Sequence, residues 1–254
     1  MPLSLPTVTL CAAASVNVAA TIRALKTCLE KVNFAECLLF GTADIPNAGP
    51  NIRCFGEETF NSAAEYSDFL LLRLADFVNT PHCLIVQWDG FVLDASAWNP
   101  RFLDCDYIGA PWPQFSDGHD VGNGGFSLRS RRLLDACRDS RFVKGHPEDV
   151  FICRTNRAFL EREHGIRFAD TELAQQFAFE RIAPFGPSFG FHGIFNMIRA
   201  LGADQFWEVY RTLDDRTSAT IDYGLLFRQF GRGSNPVRRR LQLTFDYLKT
   251  VARR

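Results

Sequence analysis

The segment Cys83–Gln87 (Cys-Leu-Ile-Val-Gln) constrains this chain most: a short unbroken apolar run that ends in Trp88-Asp89-Gly90. Five residues with no polar alternation, closed by a turn signal, describe a strand covered on both faces, and such strands belong to sheets flanked by helices. The preceding sequence supplies that architecture. Thr7–Ala13 is a β-rich apolar run, and Val16–Val32 has apolar residues at helical spacing with Ser15 or Asn17 as candidate caps. Glu36–Thr42 reads as a second strand, and Asn61–Val78 as a helix with Phe69, Leu70 and Leu74 inward. Beyond Asp89 the pattern becomes irregular and aromatic, with Trp98, Tyr107 and Trp112 among prolines and glycines, before Gly125–Leu128 resumes as a strand and Ser130–Cys137 as a helix. The expected class is α/β, a mostly parallel central sheet flanked by helices. With 254 residues, 46% of them hydrophobic, the chain fills a core of that size unaided. Neither a Ser/Gly/Pro-rich linker nor an internal repeat divides it. The expected organisation is one domain over residues 1–230 and a short tail over 231–254.

Charge narrows the function. Lys and Arg number 28 against 29 Asp and Glu, so there is no global cationic field of the kind used to hold nucleic acid. Apolar stretches fall short of the roughly 18 to 20 residues that span a bilayer, and the N-terminal residues lack the basic, apolar and small-residue succession of an export signal. The eight cysteines are scattered singly and mostly inside apolar segments, which suits reduced, buried thiols and a cytoplasmic location.

Four local features carry chemistry. Asp89 follows the most apolar strand, and in open α/β sheets ligands lie beyond the carboxyl ends of the strands. It suits a metal or ribose contact; Asp-Gly equally starts a turn. Val121-Gly122-Asn123-Gly124-Gly125-Phe126-Ser127-Leu128-Arg129 has three glycines that let backbone approach a ligand, although Asn-Gly is also a hairpin signal. It is neither a dinucleotide fingerprint nor a phosphate loop with its lysine. His146-Pro147-Glu148-Asp149-Val150-Phe151 reads as a helix start with Pro at the first position; acids there satisfy the helix dipole, or hold a carboxylate rigidly beside a hydroxyl. Phe189-Gly190-Phe191-His192-Gly193 presents a histidine between aromatics, in competition with His82, His119, His146 and His164.

In this order, an acid after a buried strand, a glycine loop, a Glu-Asp helix start and a late histidine resemble the four-part signature of GT-A fold glycosyltransferases. Ile85-Val86-Gln87-Trp88-Asp89-Gly90, Asp106-Tyr107-Ile108-Gly109-Ala110-Pro111-Trp112, the glycine loop and Glu148-Asp149-Val150-Phe151 are similar to a bacterial family of GT-A-like domains found among surface-polysaccharide genes. The resemblance runs from Thr7 to about Met197 and implies a single GT-A-like, Rossmann-like domain. It implies an enzyme that transfers a sugar from a nucleotide-sugar donor, a UDP-sugar, to a hydroxyl of a glycan or lipid-linked glycan. Asp89 would contact the donor ribose or a divalent cation (Mn²⁺ or Mg²⁺), and His192 would bind that metal or the diphosphate, though Gln87 stands where the pattern has a first acid. Thr9, Cys11 and Ala12 would hold the nucleotide base, with Arg23 or Arg53 assisting, and Asn123, Gly124 and Gly125 would line the donor sugar. Asp149 would be the general base, with Glu148 as the neighbouring alternative, in an inverting transfer; Trp112 would stack on an acceptor sugar or belong to the core. A sugar-nucleotide pyrophosphorylase would need a glycine-rich basic loop where this chain has Cys11-Ala12-Ala13-Ala14-Ser15. A non-catalytic nucleotide-sugar or glycan-binding module of the same fold is the alternative.

From Arg232 to Arg254 seven basic residues, Arg232, Arg238, Arg239, Arg240, Lys249, Arg253 and Arg254, face one acid, Asp246. Leu241, Leu243, Phe245, Leu248 and Val251 recur at helical spacing. The tail is expected as a basic amphipathic helix, either packed on the domain with a solvated basic face or lying on an anionic membrane at its inner surface.

Overall fold

The structure is a computed structural model that describes residues 2–42, 45 and 48–252. Its residues gather into two compact units, Met1–His192 and Gly193–Arg254. The division falls at 192/193, whereas the sequence reading draws its boundary at 230.

The first unit is built on a six-stranded sheet in the order β3-β2-β1-β4-β7-β6. Its strands are β1 (Leu3–Ala14), β2 (Val32–Gly41), β3 (Arg53–Phe55), β4 (His82–Val86), β6 (Tyr107–Ile108) and β7 (Phe126–Ser130). β1, β2, β3 and β4 are parallel, while β7 runs antiparallel to both β4 and β6. The expected class, a mostly parallel sheet between helices, is what the chain forms.

Helix α1 (Val18–Lys31) connects β1 to β2 and packs against both; Asn17 starts it from a left-handed backbone conformation without a side-chain cap. On one face of the sheet Cys11, Ala13, Leu38, Phe40, Cys83 and Ile85, taken from alternate positions of three strands, pack against Phe69, Leu70, Leu74 and Val78. The intervening Leu10, Leu39 and Leu84 are buried as well, so β4 is covered on both sides as its composition demands.

The expected helix over Asn61–Val78 is broken. α2 (Ala63–Asp68), capped by Ser62 Oγ, gives way to a π turn at Phe69–Arg73 and a 3₁₀ turn at Leu74–Asp76. The wider turn sends three consecutive side chains, Phe69, Leu70 and Leu71, into the interior, which a regular helix face does not do. α3 (Arg131–Ala136) starts at Ser130, whose hydroxyl accepts from the Leu133 amide. α4 (Glu148–Val150) begins one residue later than expected, because Pro147 is extended and serves as the cap. A π turn, Phe151–Thr155, then leads to α5 (Arg157–His164) and α6 (Thr171–Phe177).

A small second sheet, β5 (Phe91–Val92), β9 (Gly190–Phe191) and β8 (Ala178–Phe179), completes this unit. The second unit comprises α7 (Ile194–Tyr210), α8 (Thr217–Ile221), α9 (Tyr223–Gln229) and α10 (Pro236–Val251). Phe206, Tyr210 and Phe230 form its aromatic centre. The C-terminal helix α10 is one of the four described helices of this second unit.

Candidate active site

The carboxyl edge of the sheet collects the candidate residues. β1 has β2 on one side and β4 on the other, the point at which strand order reverses and beyond which open α/β sheets bind their ligands. Because β7 is antiparallel to β4, it begins where β4 ends: Val86 pairs with Phe126, and the Gln87 amide donates to the Gly125 carbonyl at 2.9 Å. Asp89 and the glycine loop therefore share one edge. The Gly90 amide closes a turn onto the Gln87 carbonyl at 3.1 Å, so Asp89 both sits in a turn and points a buried carboxylate into the site.

The small sheet brings the histidine there. β9 pairs antiparallel with β5 (Phe91 opposite Phe191) and delivers His192 beside Asp89. His192 Nε2 lies 3.3 Å from Asp89 Oδ1 and 3.2 Å from Gln87 Oε1, and Nδ1 lies 3.3 Å from Glu180 Oε1. Burial works against a charged imidazole, but the two carboxylates outweigh it and push the His192 pKa up to about 10. Burial likewise works against a charged Glu180, yet His192 holds that carboxyl below its ordinary range. The ring rests on Gly125: a Cβ there would lie 2.1 Å from Nε2, so no residue with a side chain leaves the imidazole in place.

On the other side of the loop stands Asp149. Its Oδ2 accepts from the Gly124 amide and its Oδ1 from the Val150 amide, both at 2.8 Å. Burial, and then the neighbouring Glu148, raise its pKa above the usual carboxylate value. Glu148 points the opposite way, into the protein, where it forms a 2.8 Å ion pair with Arg129; the side chains are 5% and 0% exposed. Arg129 is further held by Ser127 Oγ at 3.1 Å and stands over the Tyr107 ring. A Cβ on Gly124 would come within 2.4 Å of Glu148 Oε1. The loop from Gly122 to Gly125 is thus clasped between an imidazolium and a carboxylate. Asn123, at φ 62°, bends the backbone between them and accepts the Gly125 amide on its own Oδ1 at 3.2 Å. The Asn-Gly pair opens a strand here and forms no hairpin turn.

Several expected site residues lie elsewhere. Thr9, Cys11 and Ala12 are buried in β1, Thr9 and Cys11 opposite Cys83 and Ile85 of β4, and the Thr9 hydroxyl is taken up by Thr80 at 2.7 Å. The strand runs on to Ala14, so the residues at its ligand edge are Ala14 and Ser15. Arg53 is exposed on β3 with its guanidinium over Phe55, and Arg23 is half-buried on α1. Trp112 belongs to the core with Leu133, Phe142 and Ile152, so it has no face to offer an acceptor sugar. Glu148, committed to Arg129, is a structural acid rather than a second base. Among the other histidines, His82 faces the Cys105 carbonyl, His146 the Ser67 hydroxyl and His164 Asp139. Glu180 and the role of Arg129 escaped sequence reasoning. The one available signal was an arginine within a short strand, directly after Leu128, a position that when buried needs an anion.

As arranged, Asp89 and His192 form a close pair, and a divalent ion bound by both would have to displace the imidazole proton between them. Among the described residues no group of three or more His, Cys, Asp or Glu side chains is disposed to hold a metal.

Two solved structures illustrate what the fold is similar to. The glycosyltransferase GlyE of Streptococcus pneumoniae TIGR4, in its apo form, aligns over 72% of this chain with 12% identity and a TM-score of 0.42. This chain spans about half (53%) of that protein. A glycosyltransferase involved in the glycosylation of the major capsid of PBCV-1 aligns over 74% of this chain and 92% of its own, with 11% identity and a TM-score of 0.46. No curated protein matches the chain. Residues 49–192, more than half of the sequence and containing Asp89, Asn123, Gly124, Gly125, Glu148, Asp149 and His192, match a single family model. The chain belongs to that family, described as a protein of unknown function (DUF5672).

Proposed function

We propose that this chain transfers a sugar from a nucleotide-sugar donor, a UDP-sugar, to a hydroxyl of a glycan or lipid-linked glycan. One observation carries the reading: a glycine loop at the carboxyl edge of the sheet stands between a buried cation, His192, and a carboxylate of raised pKa, Asp149. Glycosyl transfer to a hydroxyl needs both charges, one to meet the departing diphosphate and one to take the acceptor proton. Asp149 removes the proton from the acceptor oxygen, which attacks the anomeric carbon from the face opposite the leaving group. A raised pKa makes Asp149 a better base than an ordinary aspartate. His192 would donate an N–H to the diphosphate once the donor displaces one of its carboxylate contacts, to Asp89 or Glu180. Asn123, Gly124 and Gly125 supply close backbone approach for the donor sugar, and orientation of the two substrates contributes much of the rate.

A second reading, a nucleotide-sugar or glycan-binding module without turnover, is favoured by one feature: both Asp149 oxygens already accept backbone amides. Incubation of the purified full chain with a panel of UDP-sugars and glycan acceptors, with Mn²⁺, Mg²⁺ or EDTA, separates the two. Release of UDP together with a glycosylated acceptor, lost in Asp149→Asn, supports the transferase. Saturable donor binding with no turnover supports the module. If neither a nucleotide sugar nor a glycan acceptor binds or raises the melting temperature under any of these conditions, both readings fall.

A further inference from the structure

Helix α10 carries its apolar stripe on the wrong side for a helix of a water-soluble bundle. Val237, Leu241, Phe245, Leu248 and Val251 are exposed at 70, 65, 62, 58 and 48%. At about 100° per residue they share one arc of roughly 120° that runs some 20 Å along the helix. The opposite face, buried within the four-helix unit, holds Leu243 together with Arg239 and Asp246. Both charged residues find a partner there: Asp246 accepts from the Tyr210 hydroxyl at 2.8 Å and from Arg216 at 3.1 Å, and Arg239 pairs through Nη2 with Asp204 at 2.6 Å, while its Nε and Nη1 are buried without a hydrogen bond among the described residues. The unit has therefore arranged polar partners for the inward side of α10 and left the hydrophobic side open. An open groove of about 810 Å³ lies along this surface, lined by Val237, Leu241 and Phe245 with Arg238 and Gln242.

We propose that α10 docks on an anionic lipid surface, lying in the interface with this stripe in the acyl boundary. Charge selects the occupant. Arg238 and Lys249 are exposed on one flank of the stripe, and the helix's only acid, Asp246, is turned inward and paired. The outward surface of α10 is thus apolar and cationic with no negative group, the composition that binds acidic headgroups. A second copy packed on the same face about a two-fold axis would bring these cations together with no acid on either helix to pair them. Among the described residues no helix is long and apolar enough to cross a membrane, and the contact proposed is a peripheral one. The proposal is independent of the transfer reading, whose residues all lie in Met1–His192.

The experiment is sedimentation of the full chain with vesicles of equal parts phosphatidylglycerol and phosphatidylcholine, with pure phosphatidylcholine vesicles and vesicle-free samples as controls. Wild-type protein is expected to pellet with the anionic vesicles, weakly with the neutral ones, and less as salt rises. The double variant Leu241→Asp, Phe245→Asp places charge on side chains already facing water, so it keeps its far-UV dichroism and melting temperature while its vesicle affinity drops roughly tenfold or more. Arg238→Ala with Lys249→Ala retains part of the binding and flattens its salt dependence. Absence of pelleting with anionic vesicles overturns the proposal, and so does undiminished pelleting of the folded aspartate variant. A wild-type dimer in light scattering that the aspartate variant converts to monomer also overturns it, by assigning the face to a second copy.

Discussion

Removing the Glu148 charge should cost stability rather than chemistry. Arg129 is completely buried and Glu148 nearly so, and among the described residues Glu148, at 2.8 Å, is the one carboxylate that the guanidinium pairs with. In Glu148→Gln the guanidinium stays behind without its counter-ion, a loss that for buried pairs amounts to about 3 to 5 kcal/mol. Glutamine keeps the volume and a carbonyl acceptor, so we expect the lower end, about 3 kcal/mol, a large share of the roughly 5 to 15 kcal/mol that holds a domain folded. Urea unfolding read by tryptophan fluorescence measures it. Three of the four tryptophans, Trp88, Trp98 and Trp112, lie in the unit concerned. Replacing both partners, Arg129→Met with Glu148→Leu, should recover most of the loss, because neither charge is then stranded. The reasoning is refuted if Glu148→Gln unfolds within about 1 kcal/mol of wild type while transfer collapses, since Glu148 would then be the reacting acid.

Asp149→Asn should lower transfer by roughly 10² or more in steady-state assays while the urea midpoint moves little. It gives up a charged acceptor for the Gly124 amide but also removes a carboxylate that burial disfavours. The pH dependence has a definite sign. The raised Asp149 pKa means that the base form is lost as pH falls through a value above the ordinary carboxylate range, so the acid limb of kcat/KM should sit above about pH 4. The same shift makes the ionised carboxylate a cost to folding as pH rises through that range, a cost absent from Asp149→Asn in stability-versus-pH curves. Gly125→Ala should displace His192, because its methyl would lie 2.1 Å from Nε2; calorimetry should then show weakened UDP-sugar binding in a chain that still folds.

The sheet was legible in the sequence because it is a matter of local period. The unbroken run Cys83–Gln87 can be satisfied only by cover on both faces, and the alternation of short strands with helical stripes around it supplies that cover. The same logic set the start of the helix at Ser130 and placed an acid, Asp89, at the end of the buried strand. What the period does not carry is how far a ladder extends: β1 continues past its apolar run in both directions because β2 remains alongside to pair with it, and this moved Thr9, Cys11 and Ala12 into the sheet interior. Nor does it say which of two adjacent acids turns inward. Glu148 is chosen by Arg129 on β7, leaving Asp149 to the glycine loop. His192 meets Gln87 across 105 positions, a contact made by the pairing of two-residue strands too short to show in any pattern. The stripe on α10 was visible from spacing alone; that it faces outward was decided by Tyr210, Arg216 and Asp204, which give Asp246 and Arg239 partners inside the unit. Burying a charge costs more than exposing a leucine, so the side of a helix that finds polar partners fixes which side faces the solvent.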